Sequence, residues 1–292
     1  MRTNLIISKM KINFCKFHGF GNDYIVIESD ELNEVSSIGE FTKRICHRNT
    51  GVGGDGIAVL EKLDGETAHF SCRIINPDGS EAGFSGNGTR CAVAYLYYKK
   101  LWQEKFLKLE TKSGVKTYKL LKREQNDFWF LAELGKPKFA SDEIPFVSET
   151  KLEKIVDYQL SIANRCLSVT AINVGNPVAV IFVKDFAEFD WRAIGRKIET
   201  HEKFPEKTNV VFVRILDKEN IEIRIWERGA GETSSSGTCS IAAAVVSAST
   251  NKTNRKVSVH AKGGITEAVW REDGEMLITG RADLAFCGKW IK

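Results

Sequence analysis

The chain reads Arg73-Ile-Ile-Asn76-Pro-Asp-Gly-Ser-Glu81-Ala-Gly-Phe-Ser85-Gly86-Asn87-Gly88 in its first half and Arg224-Ile-Trp-Glu227-Arg-Gly-Ala-Gly-Glu232-Thr-Ser-Ser-Ser236-Gly237-Thr238-Cys239 in its second. The two segments align without a gap at an offset of 151 positions (236 − 85), and each ends in Ser-Gly before an apolar segment. A repeat of half the chain length predicts two similar domains from a duplication, because a solenoid has a much shorter period. We therefore expect one site between the halves, with one hydroxyl from each.

A second pair of segments supports the repeat. The chain carries Gly21-Asn22-Asp-Tyr-Ile-Val-Ile and, 154 positions later (175 − 21), Gly175-Asn176-Pro-Val-Ala-Val-Ile. Nearly equal offsets indicate that the duplication covers most of each half.

The composition excludes several classes of protein. Of 292 residues, 42% are hydrophobic and 27% charged, which is typical of globular domains. The net charge of +4 is spread over interleaved basic and acidic residues, without the concentrated stripe of a nucleic-acid-binding protein. No apolar run reaches the roughly 18 residues of a membrane span. The leader Met1–Lys9 is too short in its apolar part for a signal peptide, which favours a cytoplasmic protein.

The seven cysteines also favour a cytoplasmic protein. Their number is odd and no CxxC occurs, so no metal site is expected. Unpaired thiols are typical of a reducing compartment.

Short strand-like runs dominate the chain, and several alternate apolar with polar residues as half-buried antiparallel strands do. The predicted strands are 12–17, 24–28, 57–61, 69–76, 106–111, 116–122, 128–133, 165–173, 177–183, 209–215, 221–227, 256–260, 265–271, 276–281 and 283–290. The predicted helices are 38–47, 88–100, 149–156, 191–202 and 238–248. The helices that follow the two repeats are apolar on most faces, which predicts burial on most faces.

These elements predict an α/β (α+β) fold of two pseudo-symmetric domains, each a curled, mostly antiparallel sheet around a central apolar helix. We expect an N-terminal half over 10–134 and a C-terminal half over 135–280, joined near Gly135-Lys-Pro137 where turn residues cluster. The final strand, within 281–292, can return to either half.

The repeated Ser-Gly segments are the candidate site. Ser85 and Ser236 each precede a helix, where serine is also a common N-cap. Free N–H groups and the positive end of a helix dipole attract carboxylates. Two such segments in register favour a ligand held between paired helix N-termini.

Further polar residues recur at the ends of strands. Asn22, Asn76, Asn176 and Asn209 are each compatible with a turn, but their recurrence in the repeat suggests that some bind a substrate. The pair Glu227-Arg228 either forms an exposed ion pair or binds the two charged groups of a zwitterionic amino acid.

The segment Gly51-Val-Gly-Gly-Asp-Gly56 satisfies GxGxxG, but the residues after it are strand-like. The dinucleotide-binding fingerprint requires a helix there, so we expect no nicotinamide cofactor.

From Met10 onward the chain resembles the diaminopimelate epimerase family. The matching segments are His18-Gly-Phe-Gly-Asn22-Asp23, Gly51–Gly56, Asn76-Pro-Asp-Gly-Ser-Glu81, Ser85-Gly-Asn-Gly-Thr-Arg90-Cys91, Gly175-Asn-Pro177 and Glu227-Arg-Gly-Ala-Gly-Glu232-Thr. The resemblance implies isomerisation of diaminopimelate, a precursor of lysine and peptidoglycan, at its α-carbon without pyridoxal phosphate or metal. One residue removes the α-proton and a second protonates the opposite face.

The resemblance also implies site roles. It assigns ligand binding to Asn22, Asn76, Asn176, Asn209, Glu227 and Arg228, and the α-carboxylate to Gly86, Asn87, Gly237 and Thr238. We expect Ser85, Ser236 and Glu227 to be the catalytic residues. The partner is then a small amino acid, and a homodimer is compatible with the sequence.

Three departures accompany the match. The family's two catalytic cysteines fall on Ser85 and Ser236, a usual histidine is Val178, and a usual glycine is Cys239. A thiol has a pKa near ~8.5, whereas an alcohol lies much closer to the ~15.7 of water. Serine therefore cannot simply replace a thiolate at neutral pH.

Three interpretations stay open. The first is a member of the epimerase lineage that acts on an amino acid through activated serines or through a different proton carrier. The second is a diverged member that performs another α-proton reaction, such as dehydration or isomerisation. The third is a protein that binds an amino acid without turnover.

Overall fold

The computed structural model describes residues 11–162 and 165–291. The leader Met1–Lys9 lies outside the described residues, and so does Met10. In the first half the elements are β1 Lys11–Gly19, β2 Asn22–Glu28, α1 Ile38–Ile45, β3 Ile57–Lys62, β4 Phe70–Ile75, β5 Glu81–Ala82, α2 Gly86–Tyr98, β6 Phe106–Thr111, β7 Gly114–Glu124 and β8 Asp127–Glu133. A 3-10 helix covers Ser29–Leu32.

The second half begins with an additional strand, β9, and then repeats this order. Its elements are β9 Ile155–Ile162, β10 Arg165–Asn173, β11 Pro177–Phe182, α3 Trp191–Glu199, β12 Asn209–Ile215, β13 Asn220–Glu227, β14 Gly231–Thr233, α4 Gly237–Ser249, β15 Lys256–Ala261, β16 Gly264–Trp270 and β17 Met276–Ile291. A 3-10 helix over Phe186–Glu188 precedes α3.

The strand pairings confirm the duplication. In the first half β1–β2, β3–β4, β4–β5 and β6–β7 are antiparallel, while β2–β3 and β4–β6 are parallel. The second half has the same pattern in β10–β11, β12–β13, β13–β14, β15–β16, β11–β12 and β13–β15. Both the mixed α+β class and the mostly antiparallel sheets are as predicted.

Each half surrounds one buried helix. Every residue of α2 from Gly86 to Tyr97 is buried, and so is every residue of α4 from Gly237 to Ser247. The apolar side chains of both helices belong to one core cluster that continues through both halves. A helix that is apolar on all sides is stable only inside such a core, which explains why these two helices carry the predicted burial.

The last strand connects the two halves. β17 pairs with β16 over Met276–Ile278, with β8 over Leu277–Asp283 and with β1 over Asp283–Ile291. Close to the point where β17 changes its partner from β8 to β1, Arg90 Nε donates a hydrogen bond of 3.0 Å to the Arg281 carbonyl. The guanidinium, which is only 2% exposed, lies against Gly280. This arrangement ties the start of α2 to the crossing strand.

We expect Gly280→Ala to lower the free energy of unfolding by about 2 kcal/mol, because a new methyl group in a packed core forces its neighbours apart. A Cβ at this position would lie 2.5 Å from Arg90 Cζ. Urea denaturation measures the effect. Gly65→Ala is the matched control, since a Cβ at Gly65 meets nothing within 4 Å. Equal stability of the two variants would contradict this packing.

The structure corrects three expectations. No helix covers 149–156; instead Ile155 begins β9, in which Ile155, Leu160 and Ile162 are buried and paired with β10. Cross-strand pairing with β10 decides the structure of this segment. The strands expected at 276–281 and 283–290 are one continuous strand.

The third correction concerns the thiols. Cys15 and Cys287 are direct partners across β1 and β17 and form a disulfide. The expectation of unpaired cysteines is therefore wrong for these two. Among the described residues the other five cysteines are free.

Within residues 11–162 and 165–291, none of the helices combines the length and the apolarity that a membrane crossing needs.

Candidate active site

A cavity lies where the N-termini of α2 and α4 meet. Gly86 and Gly237 are in contact there, since a Cβ on Gly86 would lie 3.1 Å from Gly237 Cα. Only glycine permits so close an approach of two backbones. The cavity brings together all twelve residues expected at the site: Asn22, Asn76, Ser85, Gly86, Asn87, Asn176, Asn209, Glu227, Arg228, Ser236, Gly237 and Thr238.

The two helix N-termini supply hydrogen-bond donors. Ser85 caps α2 by accepting a hydrogen bond from Gly88 N at 3.0 Å, and Ser236 caps α4 by accepting one from Cys239 N. The first N–H groups of a helix have no acceptor inside the helix. Those of Gly86, Asn87, Gly237 and Thr238 therefore form a suitable site for a carboxylate.

Ser236 is hydrogen-bonded to a carboxylate. Its Oγ donates to Glu227 Oε1 at 2.7 Å and lies 3.2 Å from Thr238 Oγ1. Glu227 ends β13, and α4 begins ten residues later, so the hairpin through β14 brings the two side chains together. Burial raises the pKa of Glu227 above its ordinary range, because a charged carboxylate is poorly solvated there.

Ser85 is hydrogen-bonded to a phenol instead. Its Oγ donates to Tyr24 Oη at 2.9 Å. Burial, with a further contribution from the Glu227 carboxylate, raises the pKa of Tyr24 far above its ordinary range. Tyr24 is therefore neutral at pH 7. The two halves of the repeat thus place different groups behind equivalent hydroxyls.

A chain of hydrogen bonds fixes the amides beneath the cavity. Arg90 Nη2 donates to Asn87 Oδ1, and Asn87 Nδ2 donates to Asn22 Oδ1 at 3.1 Å and to the Ser235 carbonyl at 3.3 Å. Both N–H groups of the Asn87 side chain are then in use. The Asn87 side chain therefore holds Asn22 in place and has no free N–H of its own for a ligand.

The other end of this chain is a carboxylate. Asn22 Nδ2 donates to Asp55 Oδ2 at 2.7 Å, and Asp55 Oδ1 accepts from Arg48 Nη2 at 2.6 Å. Arg48 also binds Asp23, as does Lys16. Burial alone would raise the pKa of Asp23, but the hydrogen bonds from Arg48 and Lys16 lower it to about 2. These fixed charges hold Asn22 in one amide orientation, with its carbonyl away from Asp55.

The remaining polar residues line the rim. Asn176 Nδ2 donates to the Phe84 carbonyl at 2.7 Å and so joins the halves. Asn209 Oδ1 accepts from Arg228 N at 2.9 Å, and Arg228 Nη1 donates to the Glu206 carbonyl at 2.8 Å. Asn76 Nδ2 donates to Ser80 Oγ at 3.1 Å, within its own turn.

Among the cavity residues that were not expected from the sequence, Tyr24 and Asp55 contact the expected site residues directly. Tyr24 follows Gly21-Asn22-Asp23 directly. It lies in the segment that aligns with Gly175–Ile181, and this alignment was the only sequence feature that could have indicated a place at the site. Asp55 belongs to the Gly51–Gly56 loop that imitates a dinucleotide-binding fingerprint. The apolar residues after the loop form β3, as predicted. The loop places Asp55 within hydrogen-bonding distance of Asn22.

Comparison with known proteins agrees with this geometry. The model of the diaminopimelate epimerase family matches residues 14–140 and 170–285. The chain is 37% identical over 278 residues to the diaminopimelate epimerase of Caldanaerobacter subterraneus, covering 95% of this chain and 99% of that protein. It is 34% identical to that of Methanococcus maripaludis, with 95% and 99% covered.

The chain belongs to the diaminopimelate epimerase family. Solved structures of low identity share its fold. A hydroxyproline epimerase from Agrobacterium vitis has a TM-score of 0.71 at 13% identity, with 97% of this chain and 91% of that one covered. A phenazine biosynthesis protein from Bacillus anthracis has a TM-score of 0.65 at 17% identity, with 97% and 99% covered.

In this member of the diaminopimelate epimerase family the cavity presents two hydroxyls, those of Ser85 and Ser236. Val178 is fully buried in β11 and Cys239 is fully buried in α4, where burial raises its thiol pKa well above the ordinary range. Neither side chain offers a proton carrier at the cavity. The groups available beside the two hydroxyls are Glu227 and Tyr24.

Proposed function

We propose that the protein binds diaminopimelate with one α-carbon between Ser85 and Ser236 and interconverts its LL and meso forms without a cofactor. The observation that carries this proposal is the meeting of two serine-capped helix N-termini, one from each repeat, at a single cavity. Two helix N-termini are suited to the α-carboxylate. Oγ atoms on two separate helices suit proton transfer at two faces of one carbon.

The charges around the cavity support an amino-acid ligand. The carboxylates of Glu227 and Asp55 suit an ammonium group, while Arg228 and the helix N-termini suit a carboxylate. We propose that Asn22, Asn76, Asn176, Asn209 and Arg228 orient the substrate, and that Gly86, Asn87, Gly237 and Thr238 hold the α-carboxylate. A carboxylate held by N–H groups also stabilises the negative charge that develops when the α-proton leaves.

The experiment is to incubate the purified protein with LL- or meso-diaminopimelate and to follow binding by thermal shift and isomer composition by chiral chromatography. We expect both isomers to raise the melting temperature, and either to be converted slowly into the other. Lysine is the control ligand, because it lacks the second carboxylate and should give a smaller shift. Absence of any shift with both isomers would exclude this function.

A second candidate is binding without turnover, which the high pKa of an alcohol favours. It predicts the same thermal shifts with no change in isomer composition, so the same experiment separates the two.

The wider organisation follows from the same proposal. We propose an N-terminal half over 10–134, a C-terminal half over 135–280 and a final segment over 281–292. We also propose a cytoplasmic location and a monomer or homodimer without a nucleic-acid partner. Five free cysteines support the location, because disulfides are rare in the cytoplasm; the Cys15–Cys287 pair is then the exception.

A further inference from the structure

The two hydroxyls at the cavity have unequal proton acceptors behind them. Ser236 Oγ donates its proton to the Glu227 carboxylate at 2.7 Å, whereas Ser85 Oγ donates to the neutral oxygen of Tyr24 at 2.9 Å. The repeat places Asn76 at the position equivalent to Glu227 (227 − 151). Asn76 is hydrogen-bonded to Ser80 within its own turn.

We propose that the protein removes the α-proton much faster at the Ser236 face than at the Ser85 face, and exchanges the proton at the Ser236 face with solvent, with retention of configuration, many times for each inversion. This inference rests on the proposed binding of an α-amino acid between the two serines. It makes the site kinetically one-sided, and it assigns to Tyr24 the part of a neutral hydrogen-bond acceptor that cannot receive a proton.

The step on the Ser236 face balances in atoms and charge. The α-C–H bond breaks and its proton goes to Ser236 Oγ, while the original Ser236 proton moves to Glu227 Oε1. The electron pair stays on the α-carbon and spreads into the α-carboxylate at the helix N-termini. The protons on Ser236 Oγ and Glu227 Oε1 then exchange with each other and with solvent, and the reverse step returns a solvent proton to the same face.

The same step fails on the Ser85 face. If Ser85 Oγ accepted an α-proton, its own proton would have to pass to a phenol oxygen that already carries one. Two other carboxylates line the cavity: Asp55 is engaged by Asn22, by Asp23 N and by Arg48, and Asp78 is engaged by Ser80. Ser85 can still donate its proton to the carbanion, but this leaves an alkoxide. Inversion is therefore slower than exchange.

The test is to incubate LL- and meso-diaminopimelate separately with the full chain in deuterium oxide. Mass spectrometry after chiral separation measures deuterium in the recovered isomer and in the inverted product. From one of the two isomers, we expect recovered material to gain deuterium about tenfold or more faster than it inverts, because a positioned base contributes at least that much. From the other isomer, recovered material should gain no deuterium before inversion.

Two matched variants refine the test. We expect Ser236→Ala to reduce exchange and inversion each by about tenfold or more, and Ser85→Ala to reduce inversion by that factor but exchange much less. Thermal shift with diaminopimelate establishes that each variant is folded and binds.

The outcomes separate the two proposals. Lack of binding by either isomer would overturn the proposed function itself. Binding together with equal exchange from both isomers, with deuterium found only in inverted product, or with no exchange at all, would overturn the one-sided site while leaving the binding function in place.

Discussion

Replacing Ser85 and Ser236 together by cysteine is expected to raise the rate of α-proton exchange of diaminopimelate at pH 7.5 by about 10³- to 10⁵-fold. A gap of roughly five pKa units between a hydroxyl and a thiol at a helix N-terminus corresponds to about 7 kcal/mol in forming the base. The upper limit assumes that the whole free-energy difference appears in the rate. The lower limit allows for the weaker basicity of a thiolate, which makes each proton abstraction slower. Proton NMR in deuterium oxide measures the exchange directly.

The control is Ser249→Cys, which adds a thiol at the exposed C-terminal end of α4, the helix that Ser236 caps. It should leave the rate unchanged. If the double variant is folded and binds diaminopimelate but exchanges no faster than the parent, the cavity has moved to chemistry other than α-proton transfer.

Glu227→Gln is expected to reduce exchange by about 10²- to 10⁴-fold, the usual contribution of a general base. The amide keeps the size of the side chain and still accepts a hydrogen bond from Ser236, but it takes no proton. In the parent protein the rate should rise with pH through the pKa of Glu227, because only the ionised carboxylate accepts the proton. Burial raises that pKa, so the midpoint should lie above the ordinary glutamate range.

A pH–rate profile from pH 4 to 9 measures both effects, and Glu202→Gln, at an exposed carboxylate, is the control for loss of a negative charge. A profile of the same shape in the parent and in Glu227→Gln would show that another group accepts the proton.

The sequence predicted the fold well because the repeat constrains it twice. Ser85-Gly86 and Ser236-Gly237 each had to begin an apolar helix, and two such helices can be buried only if each has its own surrounding strands. The prediction failed at 149–156, where Lys, Leu and Glu alternate in a way that suits a helix. Pairing with β10 decides that segment, and no local pattern reveals a partner strand that follows in the chain.

All the predicted site residues line one cavity. The sequence could not show which of them hold other site residues in place and which have groups free for a ligand. Asn87 was expected to hold the α-carboxylate, and no feature of the sequence indicated that its side chain is bound to Asn22, Arg90 and Ser235. Tyr24 and Asp55 were missed because their roles depend on contacts across 61 and 33 residues of chain. The difference between the two serines depends on the same long-range contacts.

A crystal structure with bound diaminopimelate tests the central claim most directly. We expect one α-carbon within about 4 Å of both Ser85 Oγ and Ser236 Oγ, as required for proton transfer at either face, and its carboxylate at the N-termini of α2 and α4. A ligand bound elsewhere, or an α-carbon beside only one of these oxygens, would contradict the account.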